Sequence, residues 1–116
     1  MRRRVVPKSV IDPAAETVTL INVFTVAPER ADELLDLLDR ATEQVMRQRP
    51  GFVSANLHRS LDGTRVANYA QWESEQAYRA MLADPACVEH MTAAAEIAEG
   101  FAPMLYRVAS VHPADG

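Results

Sequence analysis

Alternation along Thr17–Val26 marks the start of regular structure: TVTLINVFTV is rich in β-branched residues and predicts a strand. Val18, Leu20, Asn22, Phe24 and Val26 fall on one side of it, and Thr17, Thr19, Ile21, Val23 and Thr25 on the other, so both faces read as largely buried. After Pro28 the apolar spacing changes to three and four. Leu34, Leu35, Leu38, Ala41, Thr42 and Val45 form one stripe of a long helix, which ends at Pro50-Gly51. A second strand fits residues 52–60, the Asp62-Gly63 pair predicts a hairpin turn, and residues 65–73 supply the return strand. Ser74 suits the N-cap of a helix through Met81 and Leu82. Asp84-Pro85 interrupts that helix, further helix covers about 86–98, and Gly100 stops it. A last strand runs from about Phe101 to Val111.

The resulting order, β-α-β-β-α-β, is the split βαβ arrangement of ferredoxin-like α+β folds. Helices cover one face of its four-stranded antiparallel sheet. The first strand is apolar on both sides, so the other face also needs a cover. A second copy packed sheet to sheet, giving a homodimer built as a dimeric α/β barrel, supplies one. The alternative is a monomer with a ligand groove on the open face.

At 116 residues the chain fits one domain. Residues 16–112 make the folded unit, residues 1–15 a flexible N-terminal arm with three arginines and two prolines, and residues 113–116 a tail. The net charge of -4 argues against a nucleic-acid partner, which needs a concentrated basic face. Arg2-Arg3-Arg4 is followed by Val5, Val6, Pro7, Lys8 and Ser9 rather than by the apolar stretch of a secretory signal. No run approaches the roughly 20 apolar residues of a membrane span. Cys87 is the single cysteine, so no internal disulfide forms and a cytoplasmic location is expected.

Familiar catalytic motifs are missing. The sequence has no Gly-rich phosphate loop, no C-x-x-C, no H-E-x-x-H and no G-x-S-x-G. His58, His90 and His112 fall on different predicted elements, so no metal site is expected. What stands out instead are neutral polar residues on strands that read as buried. Asn22 lies among Leu20, Phe24 and Val26, where an amide without partners costs about 1–3 kcal/mol. Asn68 and Trp72, four residues apart, project from one face with Val66 and Ala70, while Tyr69 and Gln71 point the other way and read as packing toward the helices. An amide and an indole N–H on an apolar wall suit a flat, mostly apolar ligand with a few polar handles. The competing reading is that the asparagines bond a bulge or turn and Trp72 is plain core. Tyr78, six residues after Trp72, either closes one end of a pocket or is an ordinary amphipathic tyrosine.

The strings DGT (62–64) and VANYAQWESEQAYRAML (66–82), with Pro50-Gly51-Phe52 entering the second strand, resemble the antibiotic biosynthesis monooxygenase family over about residues 17–111. The resemblance is nearest to its actinorhodin-pathway branch of quinone-forming enzymes. It implies oxidation of an anthrone-like or phenolic polycyclic polyketide to a quinone with O2, with no flavin, haem or metal cofactor. By matching position it implies Asn22, Asn68 and Trp72 as catalytic residues and Tyr78, Phe24 and His90 as substrate-binding ones. The sequence departs from that branch at Thr92, where an arginine is expected, with His90 two residues away. A haem-degrading oxygenase and a polyketide cyclase or isomerase are the rival activities on the same fold. For the haem reading, Leu82 stands where a proximal histidine is required and His90 is the remaining helical candidate.

Overall fold

The structure, a computed structural model, describes residues 6–115; the Arg2-Arg3-Arg4 triplet lies outside them. Its elements are β1 (Val18–Thr25), α1 (Ala31–Gln44), β2 (Phe52–Arg59), β3 (Arg65–Trp72), α2 (Glu75–Ala83), α3 (Pro85–Ile97) and β4 (Gly100–Tyr106). The strands form one four-stranded sheet in the order β2-β3-β1-β4, every neighbouring pair antiparallel. This is the α+β ferredoxin-like arrangement that the element order predicts.

Local chemistry sets most boundaries. The Ser74 side chain accepts the Ala77 N–H at 3.0 Å to open α2, and Asp84 accepts the Ala86 N–H at 2.9 Å to open α3. In the hairpin turn Asp62 accepts from the Thr64 N–H (3.0 Å) and from the Thr64 and Ser60 hydroxyls (2.7 and 2.8 Å), while Gly63 takes a positive φ of 74°. Two elements end earlier than the sequence suggests. The first helix stops at Gln44 because Val45 leaves helical geometry at φ −126°, and a separate 3-10 turn follows at Met46–Gln48. The last strand stops at Tyr106, and residues 107–112 lie against the open sheet face near Ile21 and Tyr69.

A bulge between Phe52 and Ser54 in β2 resets the alternation by one residue. Phe52 therefore shares a face with Ala55 and Leu57, and Val53 turns to solvent.

The helices cover the face that carries Val18, Leu20, Phe24, Val66, Ala70 and Trp72. Asn68 and Trp72 thus point toward the helices, and Tyr69 and Gln71 away from them. This reverses the assignment of Tyr69 and Gln71 to helix packing. Alternation fixes which residues share a face but not which face the helices occupy. The open face holds Ile21, Val23, Met104 and Tyr106 together with Thr19 and Gln71, which sit opposite each other and are each 3% exposed. Ser54 donates to the Gln71 side-chain oxygen at 3.2 Å, whereas Thr19 Oγ1 is buried without a partner.

Between sheet and helices the core is split into two clusters. One gathers Leu20, Ala70, Trp72, Tyr78, Met81 and Cys87; the other gathers Phe24, Val26, Ala31, Leu34, Val66 and Ala94.

Candidate active site

The break between the clusters falls at two amides. Asn22 and Asn68 are direct partners in the β1–β3 ladder, flanked by the Leu20–Ala70 pair on one side and the Phe24–Val66 pair on the other. Neither side-chain Oδ1 is accessible to solvent, and neither has a hydrogen-bond partner. On the far side of Asn22 stands Pro103 of β4. The bulge sits in β2 rather than beside these residues, so the asparagines do not serve a backbone irregularity.

Trp72 lies on the same face as Asn68, about 13 Å along the strand at 3.3 Å per residue. Its ring is 2% exposed and Nε1 has no acceptor. Phe52 meets it edge-on (5.4 Å between centroids, 89°), made possible by the bulge, and Tyr78 meets it at 6.3 Å and 67°. Native interiors leave few polar atoms orphaned, each costing about 1–3 kcal/mol. Among the described residues four buried side-chain atoms lack partners, and three of them, on Asn22, Asn68 and Trp72, share the helix-covered face. The three sequence candidates are thus brought together inside the protomer, between sheet and helices.

Tyr78 is buried on α2, and burial pushes its phenol above the ordinary tyrosine range, with the Arg79 charge opposing. It is a neutral hydrogen-bond donor across the physiological range. Phe24 is buried two residues beyond Asn22 on the same face, its ring 6.2 Å from that of Phe101. His90 is half-buried on α3, three residues after buried Cys87 and four before buried Ala94. Since those two belong to different clusters, the imidazole stands level with the break between them. Thr92 is exposed and takes no part in the interior.

Two features that the sequence does not announce hold α2 and α3 in place. Gly51 has a φ of 84°, and a Cβ there would overlap the Ala77 Cβ. The Gly51 carbonyl accepts the Glu73 N–H at 2.7 Å. The turn before β2 is therefore pressed against α2 one residue short of Tyr78. Next to it, Arg49 donates to Asp84 at 2.6 Å, joining that turn to the start of α3. Partial burial alone would raise the Asp84 pKa, but the Ala86 N–H and the Arg49 guanidinium outweigh it and hold the carboxyl below its ordinary value. Pro-Gly in the turn hints at the first feature; a partner 35 residues away leaves no local signal for the second.

Among the described residues no group of three or more His, Cys, Asp or Glu side chains is arranged to hold a metal ion. No helix there is long and apolar enough to cross a membrane.

Residues 17–96 match the antibiotic biosynthesis monooxygenase family. Over 80 residues, 69% of this chain and 71% of the relative, the sequence is 54% identical to tetracenomycin-F1 monooxygenase of Streptomyces glaucescens. Among solved structures, a Streptomyces coelicolor monooxygenase in complex with the ligand nanaomycin D is 34% identical, with a TM-score of 0.78 over 87% of this chain and 96% of that one. SnoaB, a cofactor-independent oxygenase from Streptomyces nogalater, is 28% identical, with a TM-score of 0.75 over 85% of this chain and 99% of that one. The split core with its orphaned amides and indole is therefore carried by a chain that belongs to the antibiotic biosynthesis monooxygenase family, an oxidoreductase of the monooxygenase type.

Proposed function

We propose that this chain oxidises an anthrone-like or phenolic polycyclic polyketide to a quinone with O2 and without flavin, haem or metal, around the Asn22–Asn68 pair where the two core clusters meet. The observation that carries the reading is the set of unsatisfied atoms on Asn22, Asn68 and Trp72. A flat substrate with oxygen substituents along its edge satisfies them while its rings rest on the apolar walls, Phe24 among them. The relatives support the reaction class: one is a monooxygenase acting in tetracenomycin F1 chemistry by its name, another a cofactor-independent oxygenase.

The chemistry balances without a cofactor. Loss of a ring CH2 proton gives an electron-rich carbanion, which passes one electron to O2 to form a substrate radical and superoxide. These combine to a peroxide anion, which takes back a proton to become the hydroperoxide, and loss of water leaves the new carbonyl. One oxygen atom enters the product and the other leaves as water. The protein's task is to stabilise the anion and the peroxide in a site closed to solvent. Each amide presents an acceptor as it stands and a donor after rotation about its terminal bond, and the Trp72 N–H is a fixed donor. Tyr78, protonated, supplies a proton or a hydrogen bond to the peroxide at the Trp72 end. His90 is the ionisable side chain of α3 level with the amides and contacts the substrate from the helix side.

A second copy of the chain completes the fold on this reading, its sheet laid on the open face that carries Ile21, Val23, Met104 and Tyr106. Light scattering is expected to give twice the 12.8 kDa of one chain; a 12.8 kDa particle would sink the dimer.

The deciding experiment is an oxygen-electrode assay with anthrone-like phenols in chelator-treated, flavin-free buffer. Oxygen uptake in step with quinone formation is expected. Product formed under strict anaerobiosis points to a cyclase or isomerase instead, and a Soret band titrating to one haem per chain points to haem degradation.

A further inference from the structure

We infer that the groove between α1 and the free edge of β2 is the way in to the amide site, an outer stretch of the binding surface for the planar aromatic substrate, and that the arm segment Pro7–Ser9 is a strap across it. The groove encloses about 560 Å³, within the range of small-molecule sites. Thr42 and Arg47 of α1 and the turn after it form one wall and β2 from Phe52 to Leu57 the other, with Phe52, Ala55 and Leu57 on its helix-facing side. Those three β2 residues stand in register with Trp72, Ala70 and Asn68. Phe52 and Leu57 are thus one strand spacing, about 4.8 Å, from Trp72 and Asn68, and Asn22 on β1 lies one strand spacing further in. β2 is an edge strand, so no further strand closes this side.

Pro7, Lys8 and Ser9 line the outer side of the same groove. Ser9 Oγ donates to Asn56 Oδ1 at 2.6 Å, and Asn56 is itself held by its Nδ2, which donates to the Tyr69 carbonyl at 3.0 Å. One exposed hydrogen bond is a weak latch on an anchored post, which suits a segment that opens and closes with each turnover. The identity of the substrate rests on the function proposed above; the entrance does not.

Trp72 is the single tryptophan, so acrylamide quenching of its emission in the free protein reads access to the interior with no substrate present. Ser9→Ala is expected to raise the quenching constant about twofold by releasing the strap. Ser9→Cys paired with Asn56→Cys is expected, once oxidised, to lower quenching and to cut kcat/KM for an anthrone-like phenol about tenfold, both recovering on reduction. Equal quenching in Ser9→Ala, the oxidised pair and the reduced pair would overturn the strap. Thr42→Phe narrows the groove itself and is expected to lower kcat/KM about tenfold with an unchanged circular dichroism spectrum. An unchanged kcat/KM in that variant would overturn the entrance. Quenching that responds as stated in a chain that oxidises no phenol upholds the entrance and removes the quinone-forming reaction.

Discussion

Asn22 and Asn68 face each other across the central strand pair, each with a buried side-chain oxygen that bonds to nothing in the protein. Leaving both oxygens without partners costs stability in the free protein. Asn68→Leu, which keeps the approximate shape and removes the orphan, is therefore expected to raise the unfolding free energy measured in urea by about 1 kcal/mol or leave it unchanged. Turnover in the same variant is expected to fall by about two orders of magnitude, the scale of losing one oxyanion donor. A variant that loses stability and keeps its rate would remove Asn68 from the site.

Trp72 and Tyr78 divide along a similar line. Trp72→Phe keeps an aromatic ring against Phe52 but deletes the N–H, so kcat is expected to fall more than the melting temperature. Tyr78→Phe is expected to lower kcat without moving the pH–rate profile below about pH 10, because burial holds the phenol protonated beyond the ordinary tyrosine range. The linkage has a definite sign. With the folded pKa raised, the unfolded chain loses its proton first, so the wild-type protein loses stability as the pH climbs above about 10 and Tyr78→Phe loses less.

Asp62 works in the acid range. Hydrogen bonds from the Thr64 hydroxyl first, then the Thr64 N–H and the Ser60 hydroxyl, lower its pKa from 3.8 to about 2. A depressed carboxyl contributes stability that is complete above pH 3.8 and lost as the pH falls through about 2. Asp62→Asn is expected to flatten that part of the stability curve and to lower the neutral-pH melting temperature, because the uncharged amide resembles the protonated acid and forgoes the stability that ionisation adds. Urea titrations at several acid pH values read this directly.

Gly51→Ala is expected to be costly for its size. The left-handed backbone alone accounts for about 1 kcal/mol, and the new methyl must push Ala77 away. Moving α2 outward separates Tyr78 from Trp72. A lower melting temperature with a red-shifted tryptophan emission is the expected pair of results, and Ala77→Gly in the same chain is expected to restore the emission first.

Much of this architecture is legible in the sequence because it is local. Strand and helix periods give the element order, Ser74 announces its helix as a cap and Asp84-Pro85 marks the break after it, and parity alone places Asn22 with Phe24 and Asn68 with Trp72. The side of the sheet that receives the helices is a tertiary choice, which is why Tyr69 and Gln71 read the wrong way. The β2 bulge hides the meeting of Phe52 with Trp72, since strict alternation would put Phe52 with Ser54 and Asn56. The split core is likewise invisible along the chain: it appears only when Cys87 and Ala94 on one helix are seen to serve different clusters.

Pro103, met earlier as the neighbour of Asn22, also bears on how this sheet ends. Prolines in sheets sit on edge strands with the side that would carry the N–H turned to solvent, so the rim of β4 lacks a donor at its middle. At the opposite rim, the bulge between Phe52 and Ser54 breaks the regular backbone spacing of β2. Neither rim gives an incoming strand an uninterrupted ladder to extend, and the sheet is protected at both ends against growth into edge-paired aggregates.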